Sequence, residues 1–438
     1  MRQNLEHATA ALQGLLHAGE SFTAFFEGED SDFVRLNRNR VLQAGHVRQQ
    51  RLTLDLIRDD RHVRATLPLS GDPDTDPAQL RQAITQMRAI LPSLPPDPYH
   101  SHARATATDD DLRTGHLPDR AEMLKTLTDA ATGLDLVGHW AAGSMYRGFV
   151  GSEGQWHWFE SQSFSLDWSL YHRADKAVKG RYAGRRWQPE TLTARMQASR
   201  SQLEIMTRAP LRLEPGRYRV FLAPAALLEI LSVIAWQGFG QRAHQTRQTP
   251  LLQLADGHVA LHPEVTLEEH SAGGQAPRFS PEGFVLPDRV PLISGGQHTG
   301  CLTDARSSRE YGVTLNAAAE RPASLEMAAG TLPIDQAAAA VGDGLLISDL
   351  WYGNLSDRTH CAVTGMTRYA CLSVVDGVAA APVEPMRFDV SLYAMLGADL
   401  MALTKQRELL FDAGTYGQRG TASALLPGAL VRDFPLTL

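Results

Sequence analysis

The chain has 438 residues, which is enough for two or three domains. Hydrophobic residues make up 43% and charged residues 21%, so a globular core of ordinary size can form. The net charge of −7 argues against a general nucleic-acid-binding protein, because phosphate binding requires a basic surface.

Cysteine content and the apolar segments predict a soluble, cytoplasmic protein. The three cysteines are too few, and odd in number, for a disulfide framework. The first twenty residues lack the long apolar segment of a signal peptide. The most apolar run, residues 220–236, contains Pro224 and Glu229 and is too short to span a bilayer.

In the first half of the chain, segments with helical spacing separate two groups of strands. The predicted helices cover residues 2–18, 76–91, 119–132 and 189–209. The predicted strands cover residues 21–27, 33–43, 46–57, 61–68, 134–144, 146–154, 155–173 and 176–184. Residues 92–118, rich in Pro, Asp and His, are interpreted as an exposed connection rather than a functional loop.

The second half begins with a strand, a proline-started helix and a glycine-rich exit over residues 219–241. The helix, residues 225–236, is predicted to be buried on the face that carries Leu227, Leu228, Leu231 and Ile234. Short strands and glycine turns follow. We therefore predict an α+β protein, with helices on an antiparallel sheet in an N-terminal domain (residues 1–208) and a β-rich C-terminal domain with short helices (residues 209–438).

The segment GHVALHPEVTLEEH is a candidate metal site. Its potential ligands are His258, His262, Glu264, Glu268, Glu269 and His270. His258 and His262 would share one face of a strand, but Pro263 interrupts the segment, and metal ligands must converge. We interpret the segment as a solvated hairpin in preference to a metal site.

Two further motifs have a structural and a functional interpretation. His360 and Cys361 could suggest a base and a nucleophile, but neighbours on a strand point to opposite faces, so a structural cysteine is preferred. Ser294, Gly295, Gly296 and His298 belong to a glycine-rich segment that suits either a tight turn or strand capture. The tight turn is the preferred interpretation.

Residues 156–171 form a dense aromatic cluster. Its members are Trp156, Trp158, Phe159, Phe164, Trp168 and Tyr171. Stacking on single-stranded nucleic acid would require interleaved Arg or Lys, and residues 148–172 contain neither. The pattern favours a sheet core or a subunit interface.

Several segments, in order along nearly the whole chain, resemble the TldD/PmbA family. They are DLVGHWAAGSMYRGFVGSEGQWHWFE, VFLAPAALLEIL, RFSPEGFVLPDRVPLISGGQHTGCLTDARSSREYG and GDGLLISDLWYGNLSDRTHCAVTG. A strand ending at Asp376-Gly377, and then Pro382-Val383, also follow the family order. An older label for this family is modulator of DNA gyrase.

The resemblance implies a zinc-peptidase fold without the zinc ligands. The peptidase-type members carry His-Glu-x-x-x-His on the proline-started helix, but none of the 16 histidines here is followed by Glu. The corresponding positions hold Ser232, Val233 and Gln237, none of which is a strong zinc ligand. A family cysteine should precede a Gly-x-x-Gly-Gln run, and here that position is Ala413.

The chain is therefore identified as a PmbA/TldE-type member, expected to have no catalytic residues and no metal cofactor of its own. The resemblance implies a heterodimer with a zinc-bearing TldD-type relative, or a homodimer alone, acting on unfolded peptide. The expected peptide-binding residues are Ser232, Gln237, Ser294, Gly295, Gly296 and His298. An autonomous hydrolase with a displaced metal or cysteine site, and a binding module without a proteolytic partner, are the alternatives.

Overall fold

The computed structural model describes residues 1–104, 108–173 and 176–438. The helices are α1 Arg2–Gln13, α2 Thr75–Ile90, α3 Arg120–Ala130, α4 Pro189–Met206, α5 Pro224–Ala235, α6 Gln241–Gln245, α7 Leu252–Ala255, α8 Ala305–Tyr311, α9 Ala337–Val341 and α10 Leu392–Met395. None of them is long and apolar enough to cross a lipid bilayer within the described ranges.

The strands form two sheets, and this mixture of helix and sheet confirms the predicted α+β class. The first sheet contains β1 Glu20–Asn37, β2 Arg40–Arg58, β3 Arg61–Pro68, β4 Thr108–Arg113, β5 Asp135–Gly151, β6 Trp156–Arg173 and β7 Lys176–Gly184. The second sheet contains β8 Gly216–Leu222, β9 Leu267–Glu269, β10 Val290–Ser294, β11 Gln297–His298, β12 Ser324–Met327, β13 Gly344–Asp357, β14 Ala362–Val375, β15 Val378–Pro382, β16 Arg387–Ser391, β17 Leu400–Phe411 and β18 Ser423–Leu436.

The first sheet has the order β3-β2-β1-β5-β6-β4, with β7 also pairing with β6. All of its pairings are antiparallel apart from β4 with β6. Helices α1 and α2 pack over the β1–β2 end, where Leu5 and Leu80 are fully buried. Helices α3 and α4 cover β5, β6 and β7 through residues such as Met123 and Leu192. The predicted packing of helices on an antiparallel sheet is thus observed.

The strand boundaries in this sheet differ from the prediction. Residues 21–57 were predicted as three strands, but they form only β1 and β2. The turn lies at Arg38 and Asn39, inside a predicted strand, and both residues have left-handed φ angles of 50° and 54°. Such angles match the twist of a two-residue hairpin, and Asn tolerates them better than most residues. Strand β4 lies within residues 92–118, which were predicted to be irregular. It was not predicted because it contains three consecutive aspartates, and aspartate is rare in strands.

The second sheet has the order β11-β10-β9-β12-β18-β16-β14-β13-β8. Strand β8 also pairs with β18, so the strands from β8 to β18 close on themselves. Seven of its strands are short, as predicted, but β13, β14, β17 and β18 each exceed ten residues and were not anticipated. The predicted domain division after residue 208 stays a prediction.

Contacts join the two sheets directly. Arg181 on β7 donates to Asp349 on β13 at 2.6 Å, and Arg195 on α4 donates to Glu408 on β17 at 2.5 Å. Arg419, only 5% exposed, donates to the Ser163 carbonyl on β6 at 3.0 Å. The space beside these contacts is where the candidate site lies.

Candidate functional site

Helix α5 has one buried face and one face that lines a groove. Pro224 at its first turn needs no hydrogen-bond partner for its nitrogen, which favours a helix start directly after β8. Leu227, Leu231 and Ile234 are completely buried, as predicted. Leu228, predicted on the same face, is only half-buried, because it packs against the core at the edge of that face and also lines the groove.

The first part of the groove is a cavity of about 380 Å³ beside α5. Its lining residues are Arg181, Ala225, Leu228, Glu229, Ser232, Ala235, Pro322, Leu325, Leu410, Phe411, Asp412, Ala413, Ala422, Ser423 and Ala424. Ser232 and Ala413 therefore face one cavity, although they are far apart in sequence. The structure thus brings together two of the positions, Ser232 on the helix and Ala413 near the C-terminus, at which the resemblance implied zinc-site residues.

The second part is a cavity of about 530 Å³ toward the C-terminal end of α5. Its lining residues are Glu229, Ser232, Val233, Trp236, Gln237, Pro250, Gly353, Asn354, Leu355 and Arg358. Glu229 and Ser232 line both cavities, so the two form one continuous groove along the exposed face of the helix. Ser232 and Gln237, two predicted peptide-binding residues, lie together in it.

Polar side chains along the groove are already engaged. Glu229 Oε1 accepts from the Gly353 backbone N–H at 3.2 Å, and Arg358 donates to Gln237 Oε1 at 3.3 Å. Arg181 forms part of the groove wall, and its side chain is ion-paired with Asp349. Burial disfavours the charge on Arg181, but the Asp349 carboxylate more than offsets this and raises the pKa of Arg181 above its ordinary value.

The residues of the groove do not fit a zinc ion of the family type. Zinc in a peptidase requires three strong ligands from imidazole, thiolate and carboxylate groups. Ser232, Gln237 and Ala413 supply a hydroxyl, an amide and a methyl group. The described lining residues include two carboxylates, Glu229 and Asp412, and neither an imidazole nor a thiol.

The run after Ala413 fixes the groove wall against the first sheet. Gln418 donates to Glu27 at 2.8 Å, and the Gly417 carbonyl accepts from Gln49 at 2.6 Å. The Arg419 backbone N–H donates to Glu29 at 2.9 Å. Burial lowers the pKa of Arg419 to about 10, yet its side chain is surrounded by hydroxyl and carbonyl acceptors.

The glycine-rich turn predicted to bind peptide lies elsewhere in the second sheet. Gly295 and Gly296 have φ angles of 55° and 79°, which favour glycine. Gly296 packs against the 261–265 segment, donating to the Val265 carbonyl at 2.9 Å. Ser294 and His298 line neither cavity of the groove. A tight turn is thus observed, and its peptide-binding role stays a prediction.

The predicted solvated hairpin at residues 258–270 is wrong. Residues 267–269 form β9, which lies between β10 and β12 inside the second sheet. The Glu269 carboxylate is buried and accepts from the Ser324 backbone N–H at 2.9 Å. His270 forms an ion pair with Glu326, with 2.5 Å between Nδ1 and Oε2. Hydrophobic neighbours and sheet pairing, rather than charge, determine where this segment lies.

His360 and Cys361 do not form a catalytic pair. His360 is exposed and lies 2.7 Å from Asp357, whereas Cys361 is fully buried, which raises the pKa of its thiol. The structural interpretation of Cys361 is therefore supported. The expectation that both residues lie on a strand is wrong, because Cys361 has a φ of 48° at the end of a turn.

The aromatic cluster of residues 156–171 belongs to the core of the first sheet. Trp158, Phe159 and Trp168 are at most 2% exposed. Trp156 is partly buried beneath the guanidinium of Arg2, at 5.4 Å from its ring centroid. Of the two interpretations given by the sequence, the sheet core is correct.

Sequence reasoning missed several polar residues that the fold brings together. The buried pair of Arg181 and Asp349 joins strands that are 168 positions apart in the chain. His244 and Cys301 approach His298 through tertiary structure alone. No local motif marks such residues, because their significance depends on contacts between distant segments.

Comparison with known proteins identifies the family. A sequence profile described as PmbA/TldA metallopeptidase C-terminal domain matches residues 215–437, just over half of the chain. No curated protein sequence matches the chain. The structure is similar to TldE from Thermococcus kodakarensis, with a TM-score of 0.79 and 13% identity, covering 99% of this chain and 100% of that one.

Two further crystal structures are similar, and both are described as candidate modulators of DNA gyrase. The protein from Bacteroides thetaiotaomicron gives a TM-score of 0.76 at 14% identity, covering 100% of this chain and 98% of that one. The protein from Thermotoga maritima gives a TM-score of 0.74 at 12% identity, covering 99% of each chain. At such identities the likeness establishes the fold alone. Together with the profile match, it shows that the chain belongs to the PmbA/TldD family.

Proposed function

We propose that this chain is a subunit without catalytic zinc that completes the peptide-binding cleft of a TldD/TldE-like metallopeptidase. The observation that carries the proposal is the meeting of Ser232 and Ala413 in one cavity. By resemblance these are positions of the zinc site in the peptidase-type members, and here they supply no strong zinc ligand. The zinc is then expected on a TldD-type partner, and we place the assembly in the cytoplasm.

An extended peptide suits the shape and chemistry of the groove. The two cavities follow α5 and share Glu229 and Ser232, so the groove is elongated rather than a single deep pocket. Beside it, β13 pairs with β8 only over residues 345–347, so in the described structure the rest of that side of β13 is a strand edge. Main-chain pairing at such an edge would bind an unfolded peptide without demanding particular side chains.

The rim of the groove carries exposed aromatic residues that suit a partner subunit. Trp236 is 70% exposed, Trp351 51% and Tyr352 70%. Aromatic side chains are enriched in protein interfaces and dominate their binding energy. The aromatic cluster at residues 156–171, by contrast, is largely buried in the first sheet and does not suit an interface.

The decisive experiment mixes three components: this chain, a relative that carries His-Glu-x-x-x-His, and an unstructured fluorescent peptide. The relative should be one encoded next to this chain. Cleavage is expected from the mixture but not from this chain alone, and a zinc chelator should abolish it. A folded protein of the same length should resist cleavage.

Three results would contradict the proposal. Cleavage by the relative alone at the rate of the mixture would show that this chain contributes nothing. Cleavage by this chain alone with chelator present would indicate an autonomous hydrolase. Peptide binding by this chain without any effect on the relative would indicate a separate binding module.

A further inference from the structure

His244, His298 and Cys301 form a compact cluster outside the groove. One ring nitrogen of each histidine and the Cys301 sulfur all lie within 4.8 Å of one another. The Cys301 Sγ atom is 3.8 Å from His298 Nε2, and the two imidazole rings stack with centroids 4.7 Å apart. All three residues are half-buried. Two imidazoles and one thiol are the ligand types that zinc prefers.

The backbone holds the three segments of the cluster in place. His244 lies on α6, His298 ends β11, and Cys301 lies in the loop before α8. The Gln241 N–H donates to the Leu302 carbonyl at 2.9 Å, and the Leu302 N–H donates to the Phe239 carbonyl at 2.8 Å. On the other side of Cys301, the Thr299 N–H donates to the Leu292 carbonyl at 3.0 Å, so hydrogen-bonded backbone flanks the cysteine on both sides.

The protonation states suit metal binding. His244 Nε2 lies 2.7 Å from the Gly238 carbonyl oxygen, which only accepts, so Nε2 carries the proton and Nδ1 keeps its lone pair. A hydrogen bond from the second ring nitrogen to a carbonyl is the usual support of a histidine ligand. Burial, with a further effect of His244, lowers the pKa of His298 to about 4, so its ring is neutral at pH 7.

The other histidine clusters in the described part of the chain are less suited to a metal. In one, Asp55 pairs with His62 at 3.0 Å and with Arg64 at 3.0 Å. In the other, Glu326 pairs with Arg407 at 2.6 Å. An arginine already supplies the positive charge in both. By contrast, none of the ion pairs in the described structure includes His244, His298 or Cys301.

A nucleophilic role for Cys301 is less compatible with its surroundings. Burial and the nearby Glu320 carboxylate raise the pKa of the thiol to about 11, so it is protonated and unreactive at pH 7. A bound cation would favour the thiolate form of Cys301, and the Glu320 carboxylate would stabilise that cation.

We propose that His244, His298 and Cys301 bind one Zn²⁺ ion, which ties α6, β11 and the loop before α8 together. The fourth position of a tetrahedral zinc is left for water. The expectation of a metal-free chain was drawn from the family positions on α5, and this cluster is separate from them. The inference is independent of the proposed function, because it requires neither a partner nor a peptide.

The test uses the purified full-length chain after treatment with a chelator. Titration with Zn²⁺ should saturate at about one ion per chain and release about one proton at pH 7, from Cys301. Co²⁺ should give a thiolate-to-cobalt charge-transfer band, whereas Mg²⁺ should not bind, because it prefers oxygen ligands. Circular dichroism checks that each variant is folded.

Variants locate the site. Cys301→Ser, His298→Gln and His244→Gln should each weaken Zn²⁺ binding at least about tenfold, since even the loss of a residue that only hydrogen-bonds a metal ligand costs about 10- to 100-fold. His258→Gln, at an exposed histidine outside the cluster, is the matched control and should bind as the parent does. The inference is overturned if Zn²⁺ fails to bind the parent, if the cobalt complex lacks the thiolate band, or if all three variants retain full affinity.

Discussion

Glu269 shows how a single buried charge makes this fold sensitive to pH. The residue is 6% exposed on β9, and its carboxylate accepts from the backbone N–H groups of Ala323 and Ser324. Burial raises the pKa of Glu269 to about 7, although these two donors act in the opposite direction. The cost of burial outweighs the hydrogen bonds because no ion pair compensates the charge in the described structure.

The free energy of unfolding should therefore fall as the pH rises from 4.5 to 7. The folded state holds the Glu269 proton more tightly than the unfolded state, whose ordinary pKa is 4.5. The stabilisation is fully present below pH 4.5 and is lost as the pH rises to about 7, the pKa of Glu269 in the folded state. At higher pH it does not change further. The loss is at most about 3 kcal/mol, since one pKa unit corresponds to about 1.4 kcal/mol.

Urea denaturation of the parent and of Glu269→Gln across this pH range would measure the effect. The difference in unfolding free energy between the two proteins isolates Glu269 from other titrating groups. The parent should lose stability relative to the variant as pH rises. Parallel pH profiles for the two proteins would contradict the prediction.

At the scale of elements, α5 combines a structural face with a functional face. Ala226, Ile230 and Leu231 are completely buried against the second sheet, whereas Glu229 and Ser232 line the groove. The hydrophobic face holds the helix in position, and the exposed face is free to vary chemically. Substitutions on the exposed face can thus change the chemistry of the groove while the buried face keeps the fold.

Leu231→Ala should lower the free energy of unfolding by about 2–5 kcal/mol, because it removes a fully buried side chain and leaves a cavity. Ser232→Ala, at the next position on the exposed face, is the matched control and should change it by no more than about 0.5 kcal/mol. Chemical denaturation measures both. Equal effects of the two substitutions would mean that α5 is peripheral to the core.

The turn between β10 and β11 should tolerate no side chain at Gly296. Its φ of 79° disfavours other residues, and a Cβ atom there would collide with the Leu261 carbonyl oxygen. Gly257 is the control position, because its φ is 73° but the space around it is open. A substitution there costs backbone strain without a steric collision. Gly296→Ala should therefore destabilise the protein more than Gly257→Ala, by at least about 1 kcal/mol in thermal or urea unfolding. Similar costs for both substitutions would show that the turn relaxes freely.

The sequence predicted elements where local signals agree and failed where tertiary structure decides. Pro224 and the apolar spacing after it located α5, since both act within one helix. The hairpin turn at Arg38 and Asn39 was missed, because its strand neighbours give no break in the pattern. The shared cavity of Ser232 and Ala413 was implied by family resemblance, whereas the histidine–cysteine cluster has no local signal.

At the scale of the whole molecule, polar contacts between the sheets position the groove. The Arg181–Asp349 and Arg195–Glu408 pairs connect β7 and α4 with the second sheet. The segment that contains Ala413 is anchored to the first sheet through Gln418. One wall of the groove therefore depends on residues from both sheets, so that a change in either sheet can alter the cleft offered to a partner.

Association with a zinc-bearing relative should depend on the aromatic rim of this groove. Trp236 and Trp351 project into solvent, with Arg321 and Arg368 stacked on their rings at 5.8 and 4.7 Å. An isolated protein gains nothing from exposing these side chains, whereas an interface buries them at a gain typical of hot spots, about 2 kcal/mol or more.

The double variant Trp236→Ser, Trp351→Ser should therefore bind the relative at least about tenfold more weakly, which corresponds to about 1.4 kcal/mol. Leu42→Ser, which removes an exposed apolar residue on β2 in the other sheet, is the matched control and should leave the affinity unchanged. Analytical ultracentrifugation of the mixtures measures the affinity, and unfolding of each variant alone checks its stability. If the control weakened the complex as much as the double variant, or if neither did, the partner would bind another surface. Cleavage of an unstructured peptide by the same mixtures should fall in proportion to the complex that remains, because the cleft is complete only when both subunits contribute to it.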